Sequence, residues 1–240
     1  MNTTVAERLA RVRERIAMAA ARAGRSPDAI TLVAVTKTHP PALIAEALAA
    51  GATDLGENRV QEAAAKIPAL AGDRAPRWHL IGHLQRNKAR LAAELFDLIH
   101  SVDSLRLAEA LARHVAPGRR LPVLLQVNVS GEATKEGFDL AGGLANRPAL
   151  DALLPEVEAI LALPSLEVRG LMTIAPISAS PEDARPTFAA LRELRDDLAR
   201  RYPDAGWAEL SMGMTDDFEA AIAEGATIVR VGRAIFGERA

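Results

Sequence analysis

The stretch Ile30-Thr31-Leu32-Val33-Ala34-Val35-Thr36-Lys37-Thr38-His39-Pro40 decides how the rest of the chain is read. Its first half is uncharged and rich in β-branched residues, the pattern of a strand buried on both faces, as in a parallel sheet. The double proline at Pro40 and Pro41 ends it. Thr36, Lys37 and Thr38 therefore fall at the carboxyl end of a strand, where open α/β sheets and α/β barrels place their chemistry. Lys37 admits two readings there. It is a strand-end lysine that covers its stem and sends its amine to solvent, or a partly buried amine whose pKa is depressed by desolvation and which is nucleophilic towards aldehydes.

Beyond Lys37 the chain alternates. Pro40 and Pro41 open a helix that runs through LIAEALAAGA to a cap at Gly51. DLGEN gives a short strand with Gly56, Glu57 and Asn58 at its carboxyl end, followed by a helix in RVQEAAAKIPAL. WHLIG and LQRNKARLAAEL repeat the pair, as do FDLIHSV and DSLRLAEALARHV. LPVLLQVNVS is the clearest apolar strand, and the polar loop GEATKEGFD leads to a helical region reaching about Leu163. LEVRGLMTI with DARPTFAALRELRDDLARRY, AELSM with DDFEAAIAEGA, and TIVRVG before AIFG complete the series.

Strands regularly followed by helices imply right-handed crossovers and a parallel sheet, and about eight strands is the number that closes a barrel. The expected fold is a (β/α)8 TIM barrel with one extra N-terminal helix, a single domain over residues 1–240; a doubly wound open sheet is the alternative. The extra helix follows from Val5, Leu9, Val12 and Ile16, which recur at helical spacing up to about Gly24.

The 240 residues suit one barrel of ordinary size, and 49% apolar residues supply its core. A formal charge of -2 gives no basic field, so nucleic acid is not an expected partner. The chain has no cysteine, which excludes disulfides, thiolate metal sites and cysteine nucleophiles. The first residues lack the apolar core of a signal peptide and no 18-residue uncharged apolar span follows, so a cytoplasmic protein without membrane association is expected.

In a barrel, a ligand phosphate is commonly held after the seventh and eighth strands. SMGMTDDFEAAI follows the seventh, offering the Ser211 hydroxyl and the permissive backbone of Gly213. VRVGRAIFG follows the eighth, where Gly232 removes a side chain and the Arg233 amide lies next to it. The plain alternative is turn and cap chemistry, with Thr215 capping a helix and Asp216 and Asp217 serving its dipole. Strand alternation puts Ile228, Arg230 and Gly232 on one face and Val229 and Val231 on the other. If the valines face the helices, Arg230 points into the barrel mouth and needs an acceptor, either a ligand or a carboxylate such as Glu209. His79 and His83 straddle a strand-to-loop transition without the spacing of a helical HExxH, so no metal site is expected. GxGxxG, P-loop and GxSxG motifs are absent from the sequence.

Together, LVAVTK, GEN at Gly56 to Asn58, WHLIGHLQRNK, VNVSGEATKEG, GLMTI, SMGMTDDFEAAI and VRVGRAIFG resemble the YggS/PROSC family of pyridoxal 5'-phosphate homeostasis proteins, in the right order and over nearly the whole chain. The resemblance implies a barrel like the N-terminal domain of alanine racemase, with the cofactor held covalently as an internal aldimine. On that resemblance Lys37 matches the Schiff-base lysine, and Ser211, Gly232 and Arg233 match phosphate contacts. Arg230 matches the arginine facing the pyridine nitrogen, and Asn58 a residue lining the pocket.

Two classes of function fit such a barrel, a catalyst acting on amino acids and a protein that stores or delivers the cofactor; the fold alone does not choose. A racemase of the related fold needs an acid/base group on the opposite face of the cofactor, usually a tyrosine supplied by an additional domain and a partner subunit. The chain has no room for that domain, and its one tyrosine, Tyr202, sits in RRYPDAG, an expected exposed helix end. A cofactor carrier with little or no turnover is expected, with no catalytic residues, a monomeric state and pyridoxal phosphate-dependent apoenzymes as possible recipients. The alternatives are a monodomain amino-acid racemase using Lys37 with a histidine or water, and a lysine-dependent aldolase.

Overall fold

The structure, a computed structural model, describes residues 3–70, 75–132, 134–176 and 180–237. Ala133, within the expected polar loop, lies outside them.

Helix α1 (Val5–Arg22) begins where the Thr4 side chain accepts from the Glu7 amide and Glu7 reaches back to the Thr4 amide, a capping box that satisfies two orphan donors. Its apolar stripe, Val5, Leu9, Val12 and Ile16, is buried. Strands β1 (Thr31–Val35), β2 (Asp54–Glu57), β3 (Arg77–Leu80), β4 (Leu98–Val102) and β5 (Leu121–Asn128) follow in turn. Between them lie helices α2 (Pro41–Ala49), α3 (Val60–Lys66), α4 (Ala89–Leu95) and α5 (Leu105–Ala112). The two-residue β6 (Phe138–Asp139) and α6 (Arg147–Leu161) precede β7 (Leu166–Met172) and α7 (Arg185–Arg201). The described chain ends through β8 (Glu209–Ser211), α8 (Phe218–Ala223), β9 (Ile228–Val231) and α9 (Arg233–Phe236).

All strand pairings are parallel, and β1 lies between β2 and β9. The pairing of β4 with β5 closes the ring, so the eight strands other than β6 form the expected barrel rather than an open sheet. β6 was not expected; it adds two residues to the outer part of β5, pairing Phe138 with Val127 and Asp139 with Asn128. Such a short pairing has no periodicity of its own to read.

Alternation sorts the side chains as expected. Val229 and Val231 join the large core between barrel and helices, whereas Val33, Leu98, Leu124, Met172 and Ile228 form a separate cluster inside the barrel. Arg230 shares parity with Ile228 and is 4% exposed. α1 packs on α8, α9 and α2, and Arg8 Nε donates to the Ile235 carbonyl at 2.6 Å. No described helix is long and apolar enough to cross a membrane.

Candidate functional site

Lys37 leaves β1 two residues after Val35, half-buried at the carboxyl end of the barrel. Its main-chain neighbours are held on both sides. Lys66 Nζ donates to the Thr36 carbonyl at 2.8 Å, and the Thr38 amide donates to Glu62 Oε1 at 2.5 Å. Thr38 has φ +68°, a left-handed conformation unusual for a residue with a Cβ, so the turn that carries Lys37 is strained and held by its surroundings. Lys66 Nζ also lies 2.8 Å from Glu57 Oε1 and 2.5 Å from Glu62 Oε1, and the Thr36 hydroxyl donates to Glu57 Oε1 at 2.6 Å. Burial holds the Glu57 carboxyl above its usual range despite Lys66 and Thr36. For Glu62 burial works in the same direction, but the bonds from Lys66 and the Thr38 amide outweigh it and hold the pKa low.

Sequence reasoning missed this clamp. The signals available were Glu57 inside the GEN block and Glu62–Lys66 at helical i,i+4 spacing.

Arg230 is placed in the barrel interior, as alternation required. Glu209 is not its partner, because that carboxylate accepts from the Thr227 hydroxyl at 2.6 Å at the opposite end of the short β8. The guanidinium instead donates to Ser211 Oγ at 2.6 Å and to the Thr173 carbonyl at 2.9 Å. Both acceptors are neutral, and burial pushes the arginine down to about 10, opposed by Asp217.

Ser211 is fully buried, and its hydroxyl is turned into the barrel, bonded to Arg230 and to His100 Nδ1 at 2.8 Å. The hydroxyl offered to a phosphate is thus occupied. The loop after it is shaped by Gly213, whose φ of +92° and close approach to Phe218 and Ala221 leave no room for a side chain. Thr215 does not cap the next helix. The N-cap is Asp217, and its carboxylate accepts from the Met214 amide at 2.6 Å, which closes the loop on itself.

Gly232 is the N-cap of α9, and a Cβ there would lie 3.3 Å from the Cβ and carbonyl of Val35. Its missing side chain makes room for β1 two residues before Lys37. The Arg233 side chain binds both oxygens of Asp216 at 2.5 Å, which ties the loops after β8 and β9 together. Asn58 is half-buried after β2, its backbone packed so closely on Gly82 that a Cβ there would meet the Asn58 carbonyl at 2.5 Å. Lys37, Asn58, Gly232 and Arg233 thus follow the carboxyl ends of β1, β2 and β9, with Arg230 beneath them.

His79 and His83 part company. His79 is buried, with Nδ1 2.9 Å from His100 Nε2 and Nε2 2.9 Å from Asp54 Oδ1. His83 is exposed in the loop after β3, 3.2 Å from Asp103 after β4 and 3.8 Å from Glu136 after β5. Tyr202 is half-buried rather than exposed, its hydroxyl 3.4 Å from the Leu154 carbonyl. It follows α7 and precedes β8, at the end of the barrel opposite Lys37.

The chain forms a closed parallel barrel with a half-buried lysine beyond its first strand and a buried arginine in its last, and the family model of the alanine racemase N-terminal domain matches residues 8–240. Pyridoxal phosphate homeostasis proteins of Pseudomonas aeruginosa and Aquifex aeolicus are 48% and 45% identical to the chain, over 99% and 97% of it and 96% and 97% of their own lengths. The chain belongs to the family of pyridoxal phosphate homeostasis proteins. Structures of PipY from Synechococcus elongatus, without and with pyridoxal phosphate bound, superpose with TM-scores of 0.83 and 0.82 at 42% identity, covering 98% of this chain and all of theirs. A D-threonine aldolase from Filomicrobium marinum shares the fold alone, with a TM-score of 0.66 at 18% identity.

Proposed function

We propose that this chain binds pyridoxal 5'-phosphate at the carboxyl end of the barrel, covalently through Lys37 Nζ, and holds it for storage or delivery to apoenzymes with little or no turnover. The observation that carries the proposal is the pairing of β1 with β9: it sets the buried guanidinium of Arg230 opposite Val33, inside the barrel, on the strand next to the one that leads to the half-buried Lys37 at the carboxyl end. When bound, pyridoxal phosphate supplies an aldehyde that condenses with a primary amine and a ring that withdraws electrons from it. The residues fit that group. Among the described residues Arg230 meets neutral acceptors and makes no carboxylate hydrogen bond, which suits it to donate to a ring nitrogen and not to neutralise an acid. With Ser211 engaged inside the barrel, we assign the phosphate chiefly to main-chain groups of the loop after β8 and of Gly232 and Arg233, with Asn58 lining the pocket.

Absence of turnover is supported by the position of the chain's one tyrosine at the far end of the barrel, where it cannot serve as the acid/base group opposite Lys37. The test is the visible spectrum of the purified protein after addition of pyridoxal phosphate, followed by assay against a panel of amino acids. A new absorption band without racemisation, transamination or aldol cleavage is expected. No band, or turnover at rates typical of enzymes, contradicts the proposal.

A further inference from the structure

Beneath the site a continuous run of buried polar side chains crosses the barrel: Asp54, His79, His100, Ser211 and Arg230, with heavy-atom separations of 2.9, 2.9, 2.8 and 2.6 Å. Each has the parity of the interior face of its strand, and each is 4% exposed or less. A barrel of this size usually fills those positions with aliphatic side chains, and unpaired polar groups there are costly. The run begins at the amino-terminal end of β2, where Asp54 also meets Arg77 at 2.6 Å and the Thr53 hydroxyl at 2.7 Å. It ends at the arginine of the proposed site.

With one proton on each imidazole, the chemistry of the members permits one direction of hydrogen donation. Burial works to raise the Asp54 pKa, but His79, Thr53 and Arg77 outweigh it and hold the group below its usual value, so it is an acceptor. His79 Nε2 therefore carries the proton and Nδ1 accepts, which requires an N–H at His100 Nε2. Burial, with the nearby His79 and Arg230, holds His100 well below its usual pKa and hence neutral, so its Nδ1 accepts in turn from the Ser211 hydroxyl. The Ser211 lone pairs are then left for Arg230 Nη1–H. Reversing the tautomer of either histidine alone places two donors or two acceptors face to face.

We propose that Asp54, His79 and His100 are positioning residues for Arg230: through the Ser211 hydroxyl they fix the direction of donation along the chain and so lock the guanidinium beneath the barrel mouth. The consequence for a bound ring rests on the proposed pyridoxal phosphate site, whereas the tautomer pattern does not. Asp54→Asn keeps the shape but removes the charge that selects the tautomer. His79 and His100 can then carry their protons on Nδ1, and Ser211 Oγ receives two donors and must turn its own proton away.

Histidine 15N–1H correlation spectra of the cofactor-free protein test this. The wild type should show N–H at Nε2 and an unprotonated Nδ1 on His79 and His100; Asp54→Asn should show reversed or mixed tautomers. Ser211→Ala serves as the second variant and should retain the wild-type tautomers, because they are set from the Asp54 end. With pyridoxal phosphate added, Asp54→Asn should bind it roughly three- to tenfold more weakly, as for loss of one well-oriented hydrogen bond, with a shifted ring-nitrogen resonance. An N–H at His100 Nδ1 or a doubly protonated His79 in the wild type at neutral pH overturns the proposal, as do unchanged tautomers in a folded Asp54→Asn. The predicted tautomers in a protein that takes up no pyridoxal phosphate would uphold the chain and sink the proposed function instead.

Discussion

Lys66 shows how much one buried ammonium is asked to hold. Its three protons go to the Thr36 carbonyl, Glu57 and Glu62, and so join β1, β2 and α3 around the turn that carries Lys37. Lys66→Met leaves the Glu57 carboxylate as an uncompensated buried charge, and the loss at neutral pH is expected to be about 3–5 kcal/mol, as for other broken buried pairs. The sign of its pH dependence follows from the two carboxyls. Glu62, held low, stabilises above its ordinary value of 4.5, and that contribution is lost as pH falls through its lowered value. Glu57, held high, behaves in the opposite sense and stabilises less as pH rises through its raised value. Both are protonated in acid, so the difference between wild type and Lys66→Met in urea unfolding should narrow as pH falls below about 4; a gap independent of pH would contradict the ion-pair account. At the same scale, Arg230 can donate to a ring nitrogen but not accept from it. Nitrogen NMR of labelled pyridoxal phosphate bound to the wild type should find the ring nitrogen unprotonated near neutral pH, a poor electron sink that disfavours transamination and decarboxylation. A protonated nitrogen would remove that role from Arg230.

Among the elements, the junction of β9 with α9 bears on both packing and binding. A valine at Gly232 presses on Val35 and, through it, on the approach to Lys37. Gly232→Val should weaken uptake of pyridoxal phosphate more than that of unphosphorylated pyridoxal if the phosphate rests on this backbone; equal weakening, measured by absorption titration, would leave Gly232 a packing residue. The strands and helices were legible because β-branched runs, alternation and helical stripes are local signals: Ile30–Pro40 announced β1, and Val229 and Val231 announced the outward face of β9. What stayed hidden depends on contacts between distant strands. Glu209 and Ser211 have the same parity on β8, and only the register with β9 decides that Ser211 meets Arg230 while Glu209 turns to Thr227. Likewise, the meeting of His79 with His100 needs β3 beside β4, which the spacing of His79 and His83 along one segment obscured.

For the molecule as a whole, the barrel closes on itself through β4 and β5 and leaves no open edge strand in the ring. The described residues show no second domain beside it, and a monomer is the proposed state. Sedimentation equilibrium should give a mass near 25.5 kDa over a wide concentration range; a stable dimer would contradict this and reopen the possibility that a partner subunit completes a catalytic site. The central claim is that this fold serves to present one amine, Lys37, to an aldehyde cofactor. Borohydride reduction of the protein loaded with pyridoxal phosphate, followed by digestion and peptide mass analysis, tests it most directly. The account predicts a pyridoxyl adduct on Lys37, absent from Lys37→Ala; an adduct on Lys66 or any other lysine, with Lys37 unmodified, would contradict it.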